Sequence, residues 1–344
     1  MPVRETMLHI MKNSSVSSVV CSLATAGLLC GATSLFAADA KAFVGRWALV
    51  LPGGGAGWLG VEQQGDALKG SVLWGGGSVQ PVAETKVENG ALVVVRKHAA
   101  KKDGKTVQNI ETITAKLDGD KLALTTCTVN AEGKEIGKNA FTGKRIADLP
   151  PKPELSKVKF GTPVPLLNGK DMTGWKVMNE KAPNCWSVAD GLLSNRVMGP
   201  DGKSRHGTNI RTEAEFEDFN LKTDVRVPQG GNSGLYLRGI YEVQVAETYG
   251  KPVDSHNMGA LYSRITPSVA AERPANEWQT IDITLADRHL TVILNGKTII
   301  DNQPVLGCTG GALTSDEFKP GPLYLQGDHT NVDYRNMVLT PIVK

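Results

Sequence analysis

Short runs of alternating apolar and polar residues recur through the first half of the chain, and turn residues separate them. Residues 91–96 and 108–115 are two such runs, and residues 116–124 predict two strands joined at an Asp118-Gly119 turn. Alternation puts successive side chains on opposite faces of a strand, so the pattern is typical of half-buried β-strands. The first half therefore predicts a small antiparallel β-barrel or sandwich.

The second half shows the same pattern with longer apolar strands. Residues 221–227, 241–245 and 280–285 alternate, and residues 289–301 predict a hairpin. At its tip Asn295-Gly296 suits the two-residue turn that matches the twist of the flanking strands. About ten strands in this half would form two stacked sheets, so we predict a jelly-roll-like sandwich.

A proline-rich stretch at residues 148–165 separates the two halves and predicts an extended linker. It leaves a small β domain of unknown role at residues 41–147 and a larger one at residues 166–344.

Residues 1–40 differ in character from the rest of the chain. Basic residues at positions 4 and 12 precede an uncharged, weakly apolar run at residues 16–36, and small residues follow it near Ala37 and Ala40. This order is typical of a secretory signal peptide, with cleavage expected after one of those alanines. A membrane anchor is the alternative, although many Ser, Thr and Gly residues disfavour it. We expect a periplasmic or secreted bacterial protein without a membrane span after signal removal.

Composition excludes several classes of protein. The 344 residues carry a formal charge of +3, which gives no basic surface for nucleic acid. The 38 glycines and 18 prolines disfavour a helical bundle or a polytopic membrane protein. Export would permit a disulfide, for which Cys185 and Cys308 are the first pair to test. The alternative is that these two and Cys127 are small buried apolar residues.

Polar side chains inside predicted strands cluster on one face. Alternation sets Glu242 and Gln244 opposite Tyr241 and Val243, and a turn at Gly239 could place Arg238 beside them. The segment 323–326 repeats this arrangement with Tyr324 and Gln326 outward, and Asp328, His329 and Arg335 follow. Such groups bind hydroxyls and carboxylates, so this face is a candidate sugar-binding surface, although a solvated outer face is the alternative.

Nine segments of the second half, in the same order, resemble the bacterial 3-keto-disaccharide hydrolase family (DUF1080), over about residues 163–342. They are Leu166-Leu-Asn-Gly-Lys-Asp-Met-Thr-Gly-Trp175, Trp186-Ser-Val-Ala-Asp-Gly-Leu192, Asn232-Ser-Gly-Leu-Tyr-Leu-Arg238, Tyr241-Glu-Val-Gln244, Gly259-Ala-Leu-Tyr262, Glu277-Trp278, Leu294-Asn-Gly296, Gly321-Pro-Leu-Tyr-Leu-Gln326 and Tyr334-Arg-Asn336. The resemblance implies a concanavalin A-like sandwich. Members are described as 3-keto-glucoside 1,2-lyases and 3-keto-2-hydroxy-glucal hydratases. One departure is Gly327, since the family commonly has an acidic residue directly after Leu-Gln.

The resemblance implies removal of the C2 proton of a 3-keto-glycoside, β-elimination of the glycosidic oxygen, and hydration of the product. We assign proton transfer to Glu242 or to the pair Asp328 and His329. The expected substrate-binding residues are Arg238, Gln244, Tyr262, Gln326 and Arg335. His256 is interpreted as a loop histidine. The sequence requires no cofactor, its spacings show no metal site, and a divalent metal and the oligomeric state stay open.

A second class of function stays open, and a third is disfavoured. A non-catalytic carbohydrate-binding or adhesion protein is the alternative to an enzyme, because fold does not determine function. The three tryptophans of the first half could then stack on sugars, but burial in the core of a small barrel is the favoured interpretation. A secreted protease or esterase is not indicated, because no nucleophile elbow is present: Ser233 lacks the G-x-S-x-G spacing.

Overall fold

The computed structural model describes residues 40–102 and 104–343, and it is an all-β protein. The predicted export signal therefore lies outside the described residues, apart from Ala40. Besides a helical turn at residues 40–43 and a 3-10 turn at Leu155–Lys157, the described elements are strands. In the first domain they are β1 (Gly45–Val50), β2 (Ala56–Gln64), β3 (Ala67–Trp74), β4 (Gln80–Pro81), β5 (Glu84–Glu88), β6 (Ala91–Lys102), β7 (Lys105–Asp118), β8 (Lys121–Val129) and β9 (Glu135–Arg145).

These nine strands form an up-and-down barrel. Apart from β4 and β5, consecutive strands pair with each other, and β9 pairs with β1. Strands β4 and β5 belong to one extended segment that bonds both sheet edges: Val82 N donates to Gly70 O at 3.2 Å and Ala83 N to Val95 O at 2.8 Å. This closure removes the exposed edges of an open sheet. Of the three tryptophans predicted to fill the barrel core, Trp47 is fully buried in it and Trp74 packs against it, whereas Trp58 belongs to the buried cluster of the sandwich.

The second domain is a two-layer sandwich, which confirms the predicted fold class. Its strands are β10 (Lys159–Phe160), β11 (Val164–Pro165), β12 (Trp175–Val177), β13 (Trp186–Ala189), β14 (Leu192–Asn195), β15 (Ile210–Phe216), β16 (Phe219–Arg226), β17 (Asn232–Leu237), β18 (Tyr241–Ala246), β19 (Gln279–Ala286), β20 (His289–Leu294), β21 (Lys297–Pro304), β22 (Gly321–Leu325) and β23 (Val332–Val343). One layer has the order β13-β14-β23-β16-β19-β20-β21, with β10 and β11 also pairing with β23. The other has five strands, in the order β12-β15-β22-β17-β18. Apolar residues of both layers form one buried cluster between them.

The predicted turns are present. The β20–β21 hairpin has φ of 51° at Asn295 and 81° at Gly296, the left-handed values that a type I′ turn requires. Strands β7 and β8 pair around Gly119, whose φ is 62°. Much of the proline-rich stretch lies against the sandwich, because β10 and β11 pair with β23 and Asn302 Nδ2 donates to Pro153 O at 2.8 Å.

The barrel and the sandwich share part of their apolar core. Trp58, Leu73 and Ile146 of the barrel belong to the same buried cluster as the sandwich core. The Arg264 guanidinium stacks 4.5 Å from the Trp58 ring centre, and Ser315 Oγ donates to Leu49 O at 2.8 Å. The barrel is therefore packed tightly against the domain that carries the predicted site.

Cys127, Cys185 and Cys308 are free thiols, so the disulfide considered between the last two is not formed. Cys308 is buried in the sandwich core, and burial raises the pKa of its thiol to about 12. It behaves as a small apolar residue, which was the alternative interpretation.

Candidate functional site

A cleft of about 470 Å³ lies on the outer face of the five-stranded sheet. Strand alternation creates this face: Leu235, Leu237 and Val243 point into the core, whereas Tyr236 and Glu242 point into the cleft. Tyr236 pairs with Glu242 across β17 and β18 and with Tyr324 across β17 and β22. The cleft floor is thus built from three neighbouring strands.

Loops from both domains form the cleft walls. Tyr262 reaches the cleft because its backbone N donates to Glu242 O at 3.0 Å. Gly310 and Gly311 form a second wall, and Gly76 and Gly77 of the barrel lie against them. Gly311 N donates to Gly75 O at 3.2 Å, which ties the barrel loop to the sandwich. The first domain therefore contributes directly to the cleft.

Six of the eight predicted site residues line this one cleft. They are Glu242, Gln244, Tyr262, Gln326, Asp328 and His329.

Glu242 is a buried carboxyl group, with only 4% of the residue exposed. Burial raises the pKa of Glu242 to about 8, although the charge of His329 opposes this rise. Tyr236 itself donates its hydroxyl proton to Gly310 O at 2.7 Å. A protonated Glu242 can then donate to the Tyr236 oxygen, so the local hydrogen bonding accommodates the neutral acid.

Asp328 and His329 form a hydrogen-bonded pair that faces Glu242. Asp328 Oδ1 lies 2.7 Å from His329 Nδ1, and both side chains are about half exposed. The hydrogen bond with Asp328 raises the pKa of His329 above its ordinary value of 6.5, while the same bond lowers the pKa of Asp328. Because Asp328 fixes the proton on Nδ1, the Nε2 atom of the neutral imidazole carries the basic lone pair.

Gly327 keeps this pair on the cleft face. Tyr324 and Gln326 face the cleft, and with Gly327 as the inward residue Asp328 faces it as well. A Cβ at Gly327 would lie 2.4 Å from Trp186 Nε1, so only glycine fits there. Gly327 N donates to Asn209 Oδ1 at 2.7 Å, and Gly327 O accepts from Asn195 Nδ2 at 2.9 Å.

Hydrogen-bond donors line the cleft near these acid and base groups. The Tyr324 oxygen accepts from Asn209 Nδ2 at 2.9 Å, which leaves its own hydroxyl proton for a ligand. Tyr236 and Tyr324 stack with ring centres 4.2 Å apart. The sequence predicted the outward position of Tyr324 but gave neither tyrosine a role, and it did not indicate Asn209, which precedes a strand.

The prediction that Arg238 shares a surface with Glu242 and Gln244 is wrong. Arg238 has a φ of 55°, which breaks the strand alternation at the β17–β18 turn. Its Nη2 donates to the carbonyl oxygens of Glu317, at 2.9 Å, and Lys319, and only 3% of the residue is exposed. Arg238 therefore anchors a neighbouring loop and lies outside the cleft.

Arg335, the other predicted substrate-binding arginine, also lies away from the cleft. It belongs to β23 in the opposite sheet, where its Nε donates to Asp224 Oδ2 at 3.0 Å. Its guanidinium lies 4.0 Å from the ring centre of Trp278. Its partners in that sheet explain its position without a ligand.

Two features of residues 40–102 and 104–343 concern metal binding and membrane insertion. No group of three or more His, Cys, Asp and Glu side chains in these ranges could hold a metal ion. No helix in them is long and apolar enough to cross a bilayer.

An all-β sandwich with acid, base and amide groups in one cleft defines a class of proteins that bind or process small polar ligands. Within this class, the family model described as the 3-keto-alpha-glucoside-1,2-lyase-like domain matches residues 162–340, and the chain belongs to this family. The match covers the sandwich and leaves out the barrel.

The chain is also similar to one curated protein and to solved structures. A curated 3-keto-disaccharide hydrolase from Bacteroides thetaiotaomicron is 27% identical over 75 residues, which are 21% of this chain and only 26% of that protein. The matched segment thus spans about a quarter of the curated relative's length. Two crystal structures of proposed glycosyl hydrolases from Parabacteroides distasonis are 21% and 26% identical, with TM-scores of 0.43 and 0.41. They cover 53% and 57% of this chain and 94% and 93% of their own.

Proposed function

We propose that the protein is a carbohydrate-active enzyme that cleaves 3-keto-glycosides by β-elimination and hydrates the resulting 3-keto-2-hydroxy-glucal. The observation that carries this proposal is the pairing of acid and base in one cleft. The Asp328–His329 pair supplies a histidine base, and it faces Glu242, a buried carboxyl group that is protonated at neutral pH. Family membership supports the choice of a 3-keto sugar.

The ketone at C3 makes the C2 proton acidic, so His329 Nε2 removes it as the general base. Electrons of the broken C2–H bond form the enolate, and the C3 oxygen takes the negative charge. Hydrogen bonds from the Tyr324 hydroxyl and the amide groups of Gln244 and Gln326 stabilise this oxygen. When the enolate collapses, the C1–O bond breaks and Glu242 gives its proton to the leaving oxygen. Water then adds to the enone, which completes net hydrolysis.

This assignment predicts a bell-shaped dependence of kcat on pH. His329 must be neutral, so activity rises with pH through its raised pKa. Glu242 must be protonated, so activity falls as pH rises through about 8. The two limbs report the base and the acid, respectively.

The experiment follows purified protein with a 3-keto-glucoside and records the enone chromophore and the released aglycone. We expect His329→Ala and Glu242→Gln each to lower kcat by about 100-fold or more. The matched control is Glu217→Gln, because Glu217 is an exposed residue between β15 and β16. If wild type and Glu242→Gln turn over equally, the role of Glu242 is refuted. Tight binding of unoxidised glycans without turnover would instead support a carbohydrate-binding protein.

Export is part of the same proposal. The charged start and the apolar run of residues 1–40 support a periplasmic or secreted enzyme. Expression of the full chain followed by N-terminal sequencing of the mature protein tests this. Cleavage near Ala37 or Ala40 is expected, and an intact N-terminus in the soluble cell fraction would contradict it.

A further inference from the structure

Three side chains from two domains form a hydrogen-bonded chain at the seam between barrel and sandwich. Ser78 Oγ of the barrel lies 2.8 Å from His256 Nε2, and His256 Nδ1 lies 2.5 Å from Asp254 Oδ1. These three residues lie outside the acid–base pair already described. Their order is hydroxyl, imidazole and carboxylate, which is the arrangement of a serine hydrolase.

The hydrogen bonds fix the role of each group. Asp254 Oδ1 also accepts from the backbone N of His256 at 2.9 Å, so the carboxylate is oriented toward the ring. Hydrogen bonding to the His256 side chain lowers the pKa of Asp254, which keeps this carboxyl group ionised. With its proton on Nδ1, His256 presents a lone pair at Nε2 and accepts the hydroxyl proton of Ser78. Ser78 is therefore positioned as an activated nucleophile.

Backbone donors surround the serine as well. Ser78 ends the glycine run 75–77, in which Gly75 has a φ of 81° and Gly77 of 79°. Among the described residues, the backbone N–H groups of Gly76, Gly77 and Ser78 have no hydrogen-bond acceptor. Successive N–H groups in such a glycine loop can converge on an anion, which is how serine hydrolases hold the oxyanion of the tetrahedral intermediate.

The chain of three residues adjoins the cleft. Gly76 and Gly77 line the cleft immediately before Ser78. Tyr262, another lining residue, contacts the edge of the His256 ring with centres 4.8 Å apart. Ser78 is half-buried and His256 is partly exposed, so a molecule seated in the cleft could present a substituent at the serine.

We propose that Ser78, His256 and Asp254 form a second catalytic centre, which hydrolyses carboxylic esters of sugars bound in the cleft. Ser78 Oγ attacks the ester carbonyl and its proton passes to His256 Nε2. The C–O bond to the sugar breaks, and His256 returns the proton to the sugar oxygen. Water, deprotonated by His256, then releases the acyl group as a carboxylic acid and restores Ser78. The sugar part of the substrate rests on the proposed function; the reactivity of Ser78 does not.

The test uses the whole protein and two probes, p-nitrophenyl acetate and a fluorophosphonate. With the second probe the Ser78 oxygen forms a bond to phosphorus, fluoride leaves, and His256 takes the proton. We expect one adduct per chain, located at Ser78 by peptide mass spectrometry. Ser78→Ala should abolish the adduct and lower acetate-ester turnover by about 100-fold or more. Ser187→Ala, an exposed serine in β13, is the matched control and should behave as wild type.

His256→Gln distinguishes a catalytic role of His256 from a purely structural hydrogen bond between the domains. Glutamine can still hydrogen-bond Ser78 but cannot take its proton, so the melting temperature should stay near the wild-type value while labelling of Ser78 slows by at least tenfold. An unlabelled Ser78 in folded wild-type protein, or equal labelling rates in His256→Gln, would overturn the proposal. If the wild-type protein gives no enone signal in the 3-keto-glucoside assay, only the proposed 3-keto-glycoside activity is refuted. That assay monitors Glu242 and His329, and it does not depend on Ser78.

Discussion

A β-carbon at Gly234 would lie 2.3 Å from Oε1 of Glu242, so the Glu242 carboxyl group occupies the space that a side chain at position 234 would need. Gly234 is in β17, and Glu242 is in the adjacent strand β18. Distances of this size are incompatible with van der Waals packing, and the neighbouring Glu242 atoms Cδ and Cγ are also within 3.0 Å. Because position 234 has no side chain, the Glu242 carboxyl group can lie in this buried space, where its pKa is raised.

The first prediction is that Gly234→Ala lowers kcat by about tenfold or more, because the carboxyl group must move from its position beside Tyr236. A more exposed Glu242 would also ionise more easily, so the falling limb of the pH profile should shift below pH 8. The measurement is kcat against pH with a 3-keto-glucoside. Gly55→Ala is the control, because a Cβ there meets nothing within 4 Å. An unchanged falling limb in Gly234→Ala would contradict this account.

The second prediction concerns stability. The pKa of Glu242 is raised from 4.5 to about 8 in the folded chain, so the folded state favours the protonated acid. As pH rises above 4.5 the unfolded chain ionises first, and the free energy of unfolding falls until pH passes about 8. The loss has an upper bound of about 5 kcal/mol.

Urea unfolding at pH 5, 7 and 9 measures this loss. Glu242→Gln lacks the titrating group, so it should lose less stability than wild type across this range. The other ionisable groups are common to both proteins and cancel in the comparison. Equal losses in the two proteins would show that Glu242 has an ordinary pKa.

The polar outer face of the five-stranded sheet shows which side-chain positions can be predicted from the sequence. Period-two alternation was enough to place Glu242, Gln244 and Gln326 on one surface, because regular strands leave no freedom in side-chain direction. The predicted position of Arg238 was wrong because its positive φ interrupts that alternation. No residue pattern predicts a positive φ at an arginine. Gly327 was noted as a departure, but its effect on Asp328 depends on Trp186, which is distant in sequence.

The contribution of the barrel lay outside the reach of sequence reasoning. Ser78 is separated from His256 by 178 positions, and the pair meets only because the two domains dock. Taken by itself, His256 is correctly described as a loop histidine. Its partner Asp254 lies two positions earlier, a local spacing that does not by itself indicate a site. Contacts across a domain seam depend on docking geometry, which neither hydrophobic period nor turn residues encode.

The third prediction separates anchoring from substrate binding. Arg238→Lys should lower the free energy of unfolding by about 1–3 kcal/mol, because an ammonium group cannot reproduce the paired contacts with the carbonyls of Glu317 and Lys319. The KM for the 3-keto-glucoside should stay at its wild-type value. Gln326→Ala, by contrast, should raise KM severalfold with a smaller effect on stability, since Gln326 lines the cleft. A KM defect in Arg238→Lys larger than that of Gln326→Ala would return Arg238 to the substrate site.

The fourth prediction tests whether the barrel completes the cleft. A Cβ at Gly310 would lie 2.1 Å from the carbonyl oxygen of Gly77 and 2.7 Å from its nitrogen. These are backbone atoms, which cannot rotate away as a flexible side chain can. Gly310→Ala should therefore displace the glycine loop of the barrel from the cleft wall, raise KM for the 3-keto-glucoside, and expose residues 75–78 to limited proteolysis.

Gly55→Ala is the matched control for this displacement, because it adds the same methyl group to a barrel loop that does not line the cleft. A Cβ at Gly55 meets nothing within 4 Å, so the barrel has no reason to move. Labelling of Ser78 by the fluorophosphonate should fall in Gly310→Ala and persist in Gly55→Ala, since Ser78 follows Gly77 directly and reaches His256 only while the loop is docked. If Gly310→Ala keeps the wild-type KM and labelling rate, docking of the glycine loop is required neither for the cleft wall nor for the reactivity of Ser78.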